Sequence, residues 1–265
     1  DVYVFMVAGE VSRQTLAYDI SNVDIAEQGV YTLVLVGEDC NYINGYDKDS
    51  NTIYELKTTI DKSGYPMDID ISNDGQKLVT SYMKIQGTKV QSVIAMYNFS
   101  SVGQNENADR MMGSYTEEFT DNDNIACFGN NDIRTYTMTE KPEKRAVIDL
   151  RSREMQGVFY NSSCVGYIAV SDSASKAKYK IYIYDNKGAL KAEVDYDNAF
   201  DKIYATEEEI IVTGDMDCSI IRFNGSMKFN YSFTKNLVNV VPDSNEEEYV
   251  VIFENETQTI ALKGM

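Results

Sequence analysis

The sequence predicts an all-β chain built from four-stranded antiparallel blades, the arrangement of a β-propeller. Three observations carry this. The stretch Gly64 to Met83, GYPMDIDISNDGQKLVTSYM, reads as two strands and their turn. In it Met67, Ile69 and Ile71 alternate with Asp68 and Asp70, and Asp74-Gly75 can supply the positive φ of a tight hairpin. Strands that run into a turn then recur along the chain. Their last residues are Phe5, Tyr46, Tyr97, Met138, Tyr184, Phe223 and Leu262, spaced by about 40 to 50 residues, the length of one blade. A second series of turns, each between a leading strand and an apolar strand, interleaves with the first at the same period. Two series in phase give the strand order a-b-c-d of a blade.

In chain order, residues 1–20 supply a c strand (2–6) and a d strand only. The blade at 21–60 has its a–b turn at 27–29, its b strand at 30–36, c at 42–46 and d at 54–58. The blade at 63–116 holds the hairpin above, c at 93–97 and d at 111–115, with the polar stretch 100–109 read as a surface loop. The blade at 117–151 has its turn at 122–124, b at 125–128, c at 133–138 and d at 145–150. The blade at 153–196 has its turn at 161–163, b at 165–170, c at 180–184 and d at 190–196. The blade at 200–233 has its turn at 206–208, b at 210–213, c at 219–223 and d at 229–233. Residues 236–265 close the chain with a turn at 243–245, b at 249–253 and c at 258–262. The expectation is a single domain over 1–265 with about six to seven blades, the first and last incomplete. A chain that starts inside a blade is expected to have more blades upstream in its precursor, because an open sheet edge invites aggregation.

Composition narrows the chemistry. There are 42 acidic and 24 basic residues, for a net charge of −18. Such a surface repels nucleic acid and anionic membrane, since phosphate binding needs clustered Lys and Arg. Histidine is absent, which removes Ser-His-Asp and Cys-His catalysis and the commonest metal ligand. Cys40, Cys127, Cys164 and Cys218 lie far apart with no C-x-x-C pair, so a zinc site is not expected and buried free thiols are. No apolar run reaches the length of a transmembrane helix and no signal peptide is visible.

Few residues suggest a site. Asp47-Lys48-Asp49-Ser50-Asn51 opens like a calcium loop, with Asp47, Asp49 and Asn51 at alternate ligand positions. The rest of that loop fails: Thr52 stands where glycine is needed and Thr58 where glutamate is. The expected reading is a polar c–d turn. Asp121 and Asp123, and Asp215 and Asp217, are likewise read as turn residues. No catalytic residue can be chosen among 42 acids, and no cofactor is expected: a quinone would want an aromatic platform, and tryptophan is absent.

The runs at 57–82 (KTTIDKSGYPMDIDISNDGQKLVTSY), 93–110 (VIAMYNFSSVGQNENADR) and 228–233 (KFNYSF) resemble a bacterial family of propeller proteins of unknown function, found in Gram-positive anaerobes. The resemblance covers nearly the whole chain. It implies a WD40-like or quinoprotein-like propeller outside the cytoplasm, anchored to the cell membrane by an N-terminal helix that lies upstream of this chain. The expected function is non-enzymatic: binding or scaffolding, with a protein or a cell-envelope component as partner. The alternative is a small-ligand sensor or enzyme using the central channel, marked by polar side chains converging from several a strands.

Overall fold

The computed structural model describes residues 1–99, 107–111, 115–139, 141–245 and 247–262. No helix is found among them. The chain divides into two units, Asp1–Asp149 and Leu150–Met265.

Unit 1 opens with a two-stranded hairpin, β1 (Val2–Met6) and β2 (Gly9–Gln14). Three four-stranded antiparallel sheets follow. The first holds β3 (Asp19–Ile25), β4 (Tyr31–Val36), β5 (Asn41–Tyr46) and β6 (Thr52–Thr58). The second holds β7 (Tyr65–Ile71), β8 (Lys77–Gln86), β9 (Lys89–Asn98) and β10 (Asn107–Met111). The third holds β11 (Tyr115–Phe119), β12 (Asn124–Gly129), β13 (Asp132–Met138) and β14 (Pro142–Asp149).

Unit 2 holds two more four-stranded sheets and one of three strands. The fourth sheet is β15 (Met155–Tyr160), β16 (Cys164–Val170), β17 (Tyr179–Asp185) and β18 (Leu190–Tyr196). The fifth is β19 (Lys202–Ala205), β20 (Glu209–Thr213), β21 (Asp217–Arg222) and β22 (Met227–Ser232). The sixth is β23 (Leu237–Pro242), β24 (Glu248–Phe253) and β25 (Thr257–Ala261).

Within every sheet the strands pair with their sequence neighbours, so each sheet is a meander. In the first and fifth sheets the second strand is covered on both faces: Leu33, Val34 and Leu35 on β4, and Ile210, Ile211 and Val212 on β20, are at most 3% exposed. Outer strands alternate instead; β18 buries Tyr196 and half-buries Ala192 and Val194, while the residues between them stay exposed. Adjacent sheets share apolar clusters, such as Val79, Ile94 and Met96 with Phe119, Ile125 and Tyr136. Burying one such side chain stabilises the fold by about 2 kcal/mol.

The repeat also shows in its irregularities. Inner strands β3, β7, β15 and β23 each carry a bulge at the same place, between Ile20 and Asn22, Pro66 and Asp68, Met155 and Gly157, and Leu237 and Asn239. At three of these the side-chain oxygen of Asn22, Asp68 or Asn239 accepts the N–H of the next residue, at 2.8, 3.1 and 3.0 Å. The polar side chain thus satisfies a donor at the bulge. A second bulge marks the pairing of third and fourth strands, at Gly45/Tyr46, Thr135/Tyr136, Ile183/Tyr184 and Ile220/Ile221. The β1–β2 hairpin has this second bulge, at Val4/Phe5, which gives its two strands the character of a c–d pair.

One strand departs from the sequence reading. The fourth strand of the second sheet is Asn107–Met111, paired from Asn107↔Met96 to Met111↔Ser92, and not residues 111–115. Tyr115 and Thr116 open the inner strand of the third sheet, where they pair with Gly129 and Phe128. A polar run to Asp109 reads as loop and puts the start of the strand at Met111, where the outer strand in fact ends. Of the stretch read as a loop, residues 100–106 lie outside the described residues and Asn107–Asp109 belong to β10. All four cysteines are buried thiols, outside any disulfide.

Candidate functional site

The a–b turns are tied from sheet to sheet. In the second sheet, Ser72-Asn73-Asp74-Gly75 closes with Gly75 N–H donating to the Ser72 carbonyl at 2.7 Å and Ser72 Oγ to Asp74 Oδ1 at 2.7 Å. Asn73 Nδ2 donates back to Glu27 of the first sheet at 3.2 Å, and the Asp74 N–H donates forward to Asn122 Oδ1 of the third at 2.9 Å. Lys77 opens β8 with its ammonium bonded to the Asn122 carbonyl and the Asp123 carboxylate. In unit 2 the turn at Asn161 is tied to the carbonyls of Thr206 and Glu207 in the same way.

The residue at or just before the start of each second strand closes its turn by offering a carbonyl to the turn's first N–H. It is Val30, Lys77, Asn124, Cys164, Glu209 and Glu248 in the six sheets. At Glu209 this position becomes the floor of a cavity of about 850 Å³ between the fifth and sixth sheets. Glu209 Oε1 accepts Lys228 Nζ at 2.7 Å, and Lys228 Nζ also lies 2.8 Å from the Tyr249 hydroxyl. That hydroxyl donates to Glu209 Oε2. The Lys228 and Glu209 side chains are 7% and 9% exposed. Burial works against the Lys228 charge, yet the hydrogen bonds it donates to Glu209 and Tyr249 hold its pKa above the ordinary lysine value. Burial, then the hydrogen bond to Glu209, raise that of Tyr249.

Around this floor the rim is acidic. Glu207, Glu208, Asp243, Glu247 and Glu248 line the cavity with Glu209, and Arg222 and Lys228 are the cations among the described lining residues. With Lys228 matched by Glu209, the cavity presents a surplus of carboxylates toward solvent. Such a field attracts ammonium and guanidinium groups.

A second polar constellation lies on the inner strands of unit 1. The residue before the last of each inner strand is Asp24, Asp70 and Glu118 in the first three sheets. It is Phe159, Tyr204 and Val241 in the next three. Asp24 Oδ2 accepts the Ile71 N–H at 2.7 Å, and Asp70 Oδ2 accepts the Phe119 N–H. Asp24 and Asp70 therefore each hold the inner strand of the following sheet by its backbone. Burial, with the nearby charges of Glu118 and Asp24, pushes the Asp70 carboxyl up to about 9 despite the Phe119 hydrogen bond.

The calcium-like turn is occupied by its own donors. Asp47 Oδ1 accepts the N–H groups of Asp49 and Asn51 at 2.9 and 2.8 Å, and Oδ2 accepts Asn51 Nδ2 at 2.9 Å. Hydrogen bonds from Asn51 hold the Asp47 carboxyl below the usual carboxylate range. Asp49 faces Lys48 at 2.7 Å. Asp185 and Asn224 make the same kind of turn in the fourth and fifth sheets. Asp121 likewise accepts from Asp123, Asn124 and the Asn124 amide, all at 2.7 Å. Asp217 accepts from Ser232, and the Asp215 carbonyl from the Leu237 N–H. Among the described residues no group of three or more Cys, Asp or Glu is placed to hold a metal ion.

Sequence reasoning did not single out Glu209, Lys228, Tyr249 or Asp24. A signal existed for Glu209, an acid where an apolar second strand begins. It existed too for Asp70, in the repeat of N-V-D-I (22–25) as D-I-D-I (68–71). Residues 1–262 match the model of a family of unknown function, DUF5711. The chain belongs to this family. No curated protein matches the sequence. Among solved structures, Hsv2 of Kluyveromyces lactis is similar at TM-score 0.60 and 8% identity, covering 93% of this chain and 75% of that one. BamB from Moraxella catarrhalis is similar at TM-score 0.51 and 11% identity, covering 95% and 75%. Atg21, in a complex with the coiled coil of Atg16, is similar at TM-score 0.60 and 12% identity, covering 85% and 74%. At these identities the likeness speaks to fold alone, and the fold of this DUF5711 chain is that of a β-propeller.

Proposed function

We propose that residues 1–265 act as one non-enzymatic binding propeller, held outside the cytoplasm by an upstream membrane anchor, and that its partner is a protein presenting a basic segment. The observation that carries the partner is the cavity of unit 2, where six carboxylates face two cations and the buried one of these is already neutralised. The net charge of −18 acts in the same sense at long range, drawing a basic partner in and repelling nucleic acid. The site offers no histidine and no thiol, and its one buried lysine is charged and paired, which suits recognition better than proton transfer or covalent chemistry. Support for the location is the family resemblance of residues 57–82 and 93–110.

The test is fluorescence anisotropy with a labelled Lys/Arg-rich peptide, on the full chain, at low and high salt. The expected result is binding that weakens with salt and is lost when Glu207, Glu208 and Glu248 are changed to Gln. Changing the exposed Glu10, Asp61 and Glu143 should leave it in place. Equal losses from both sets would reduce the interaction to bulk charge and overturn the reading. Protease added to intact cells expressing the full precursor checks the location: a chain that survives until the cells are lysed is not outside.

A further inference from the structure

Asp70 is a carboxyl group among carboxyl groups. It lies on β7 and is packed between the inner strands on either side. β3 brings Asp24, whose Oδ2 takes the Ile71 N–H next to Asp70. β11 brings Glu118 and the Phe119 N–H, which Asp70 Oδ2 accepts. On β7 itself Asp68 is engaged by Asn22 at 3.0 Å. Across the sheet, Asp70 is paired with Val79 of β8. The charged residues of β8 are engaged elsewhere: Lys77 with Asp123 and Asn122, Lys84 with the Lys62 carbonyl. The Tyr82 hydroxyl of β8 meets that of Tyr97 at 3.1 Å. The titratable group of β4, Tyr31, is bonded to Gln14 and Ser50. The groups that act on Asp70 by charge are thus two acids, and neither neighbouring inner strand brings a cation to it.

Two carboxyls this close, with burial on top, relieve their repulsion when one keeps its proton and gives it to the other as a hydrogen bond. A protonated Asp70 still accepts the Phe119 N–H on its carbonyl oxygen and can donate its hydroxyl to Asp24. We propose that Asp70 carries a proton at neutral pH and forms with Asp24 a pH-sensitive clasp, joining the inner strands of the first three sheets of unit 1. Removing the proton places a further negative charge beside Asp24 and Glu118, so alkali loosens the strands that the clasp joins.

The sign follows from the raised carboxyl. Unfolded, Asp70 titrates near the ordinary value of about 4; folded, it titrates near 9. The native chain therefore binds one more proton than the unfolded chain between those values. The stability linked to this group is fully present below the unfolded value and is lost as pH rises through the folded one.

Infrared spectroscopy and urea unfolding of the full chain, from about pH 5 to about pH 10, test this window. A protonated-carboxyl band is expected at neutral pH in the wild type, fading in alkali and absent from Asp70→Asn. Relative to Asp70→Asn, the wild-type folding constant should fall about tenfold per pH unit within the window. Asp24→Asn, which removes the neighbouring charge, should shift the band's midpoint toward acid. A wild type without the band at neutral pH, or with a stability profile parallel to that of Asp70→Asn, overturns the proposal. Should Asp70→Asn fail to fold, the wild-type band and its midpoint in Asp24→Asn still decide.

Discussion

The ammonium of Lys77, on the second sheet, is bonded to the carboxylate of Asp123 on the third, with 7% of the lysine side chain exposed and half of the aspartate. Its other partner is the Asn122 carbonyl at 2.7 Å. Lys77→Ala removes both bonds and leaves a void between two sheets. A loss of about 2–4 kcal/mol in urea unfolding is expected. Lys77→Met fills the void without the charge and should lose less. Equal losses from the two variants would mean that the lost bonds to Asn122 and Asp123, and not the void, explain the effect.

Gly75 has φ +69°, and a Cβ there would stand 2.8 Å from Val30 Cγ2 on the first sheet. Gly75→Ala should therefore destabilise by about 1–3 kcal/mol, from backbone strain and from contact. Val30→Ala in the same chain should return part of that loss. A double-mutant cycle with no coupling would show that strain alone is at work.

Glu209 is the carboxylate partner of the buried Lys228. Glu209→Gln should cost about 3 kcal/mol, since it leaves a buried cation without its counter-charge. Tyr249→Phe removes one hydrogen bond and should cost about 1 kcal/mol. Thermal unfolding measures both. If Tyr249→Phe proves the worse of the two, the charge pair is not what holds the cavity floor.

Burial pushes the Cys164 and Cys218 thiols up to about 12. Thiolate is the reactive form, so both should resist alkylation at mildly alkaline pH in the folded chain and react on addition of denaturant. Mass mapping of the modified peptides is the readout, and fast labelling of either in the native chain would contradict its burial.

Much of the sheet order was legible because it rests on local rules. Gly75 and the polar residues around it mark a turn, and the apolar runs on β4, β16 and β20 mark strands covered on both faces. The boundary near Met111 was misread because polar Asn107 and Asp109 look like loop, while their pairing with β9 makes them strand and Tyr115 belongs to the pairing of β11 with β12. The site was harder to see. In D-I-D-I the alternation assigns Asp68 and Asp70 to one polar face, and a polar face in sequence suggests water. Here that face meets the inner strands of neighbouring sheets, and only long-range pairing brings Asp24, Asp70 and Glu118 near one another. Glu209, Lys228 and Tyr249 come from three strands of two sheets, with no spacing that sequence could display.

The acids at the end of the inner strands stop at Glu118; the fourth, fifth and sixth sheets put Phe159, Tyr204 and Val241 there instead. The chain is thus chemically lopsided along its length. In a scanning calorimeter, raising the pH toward 9 should draw the melting of unit 1 to lower temperature and leave that of unit 2 nearly where it was. A single heat-absorption peak in acid would then broaden or divide in alkali, giving each half of the molecule its own thermal signature.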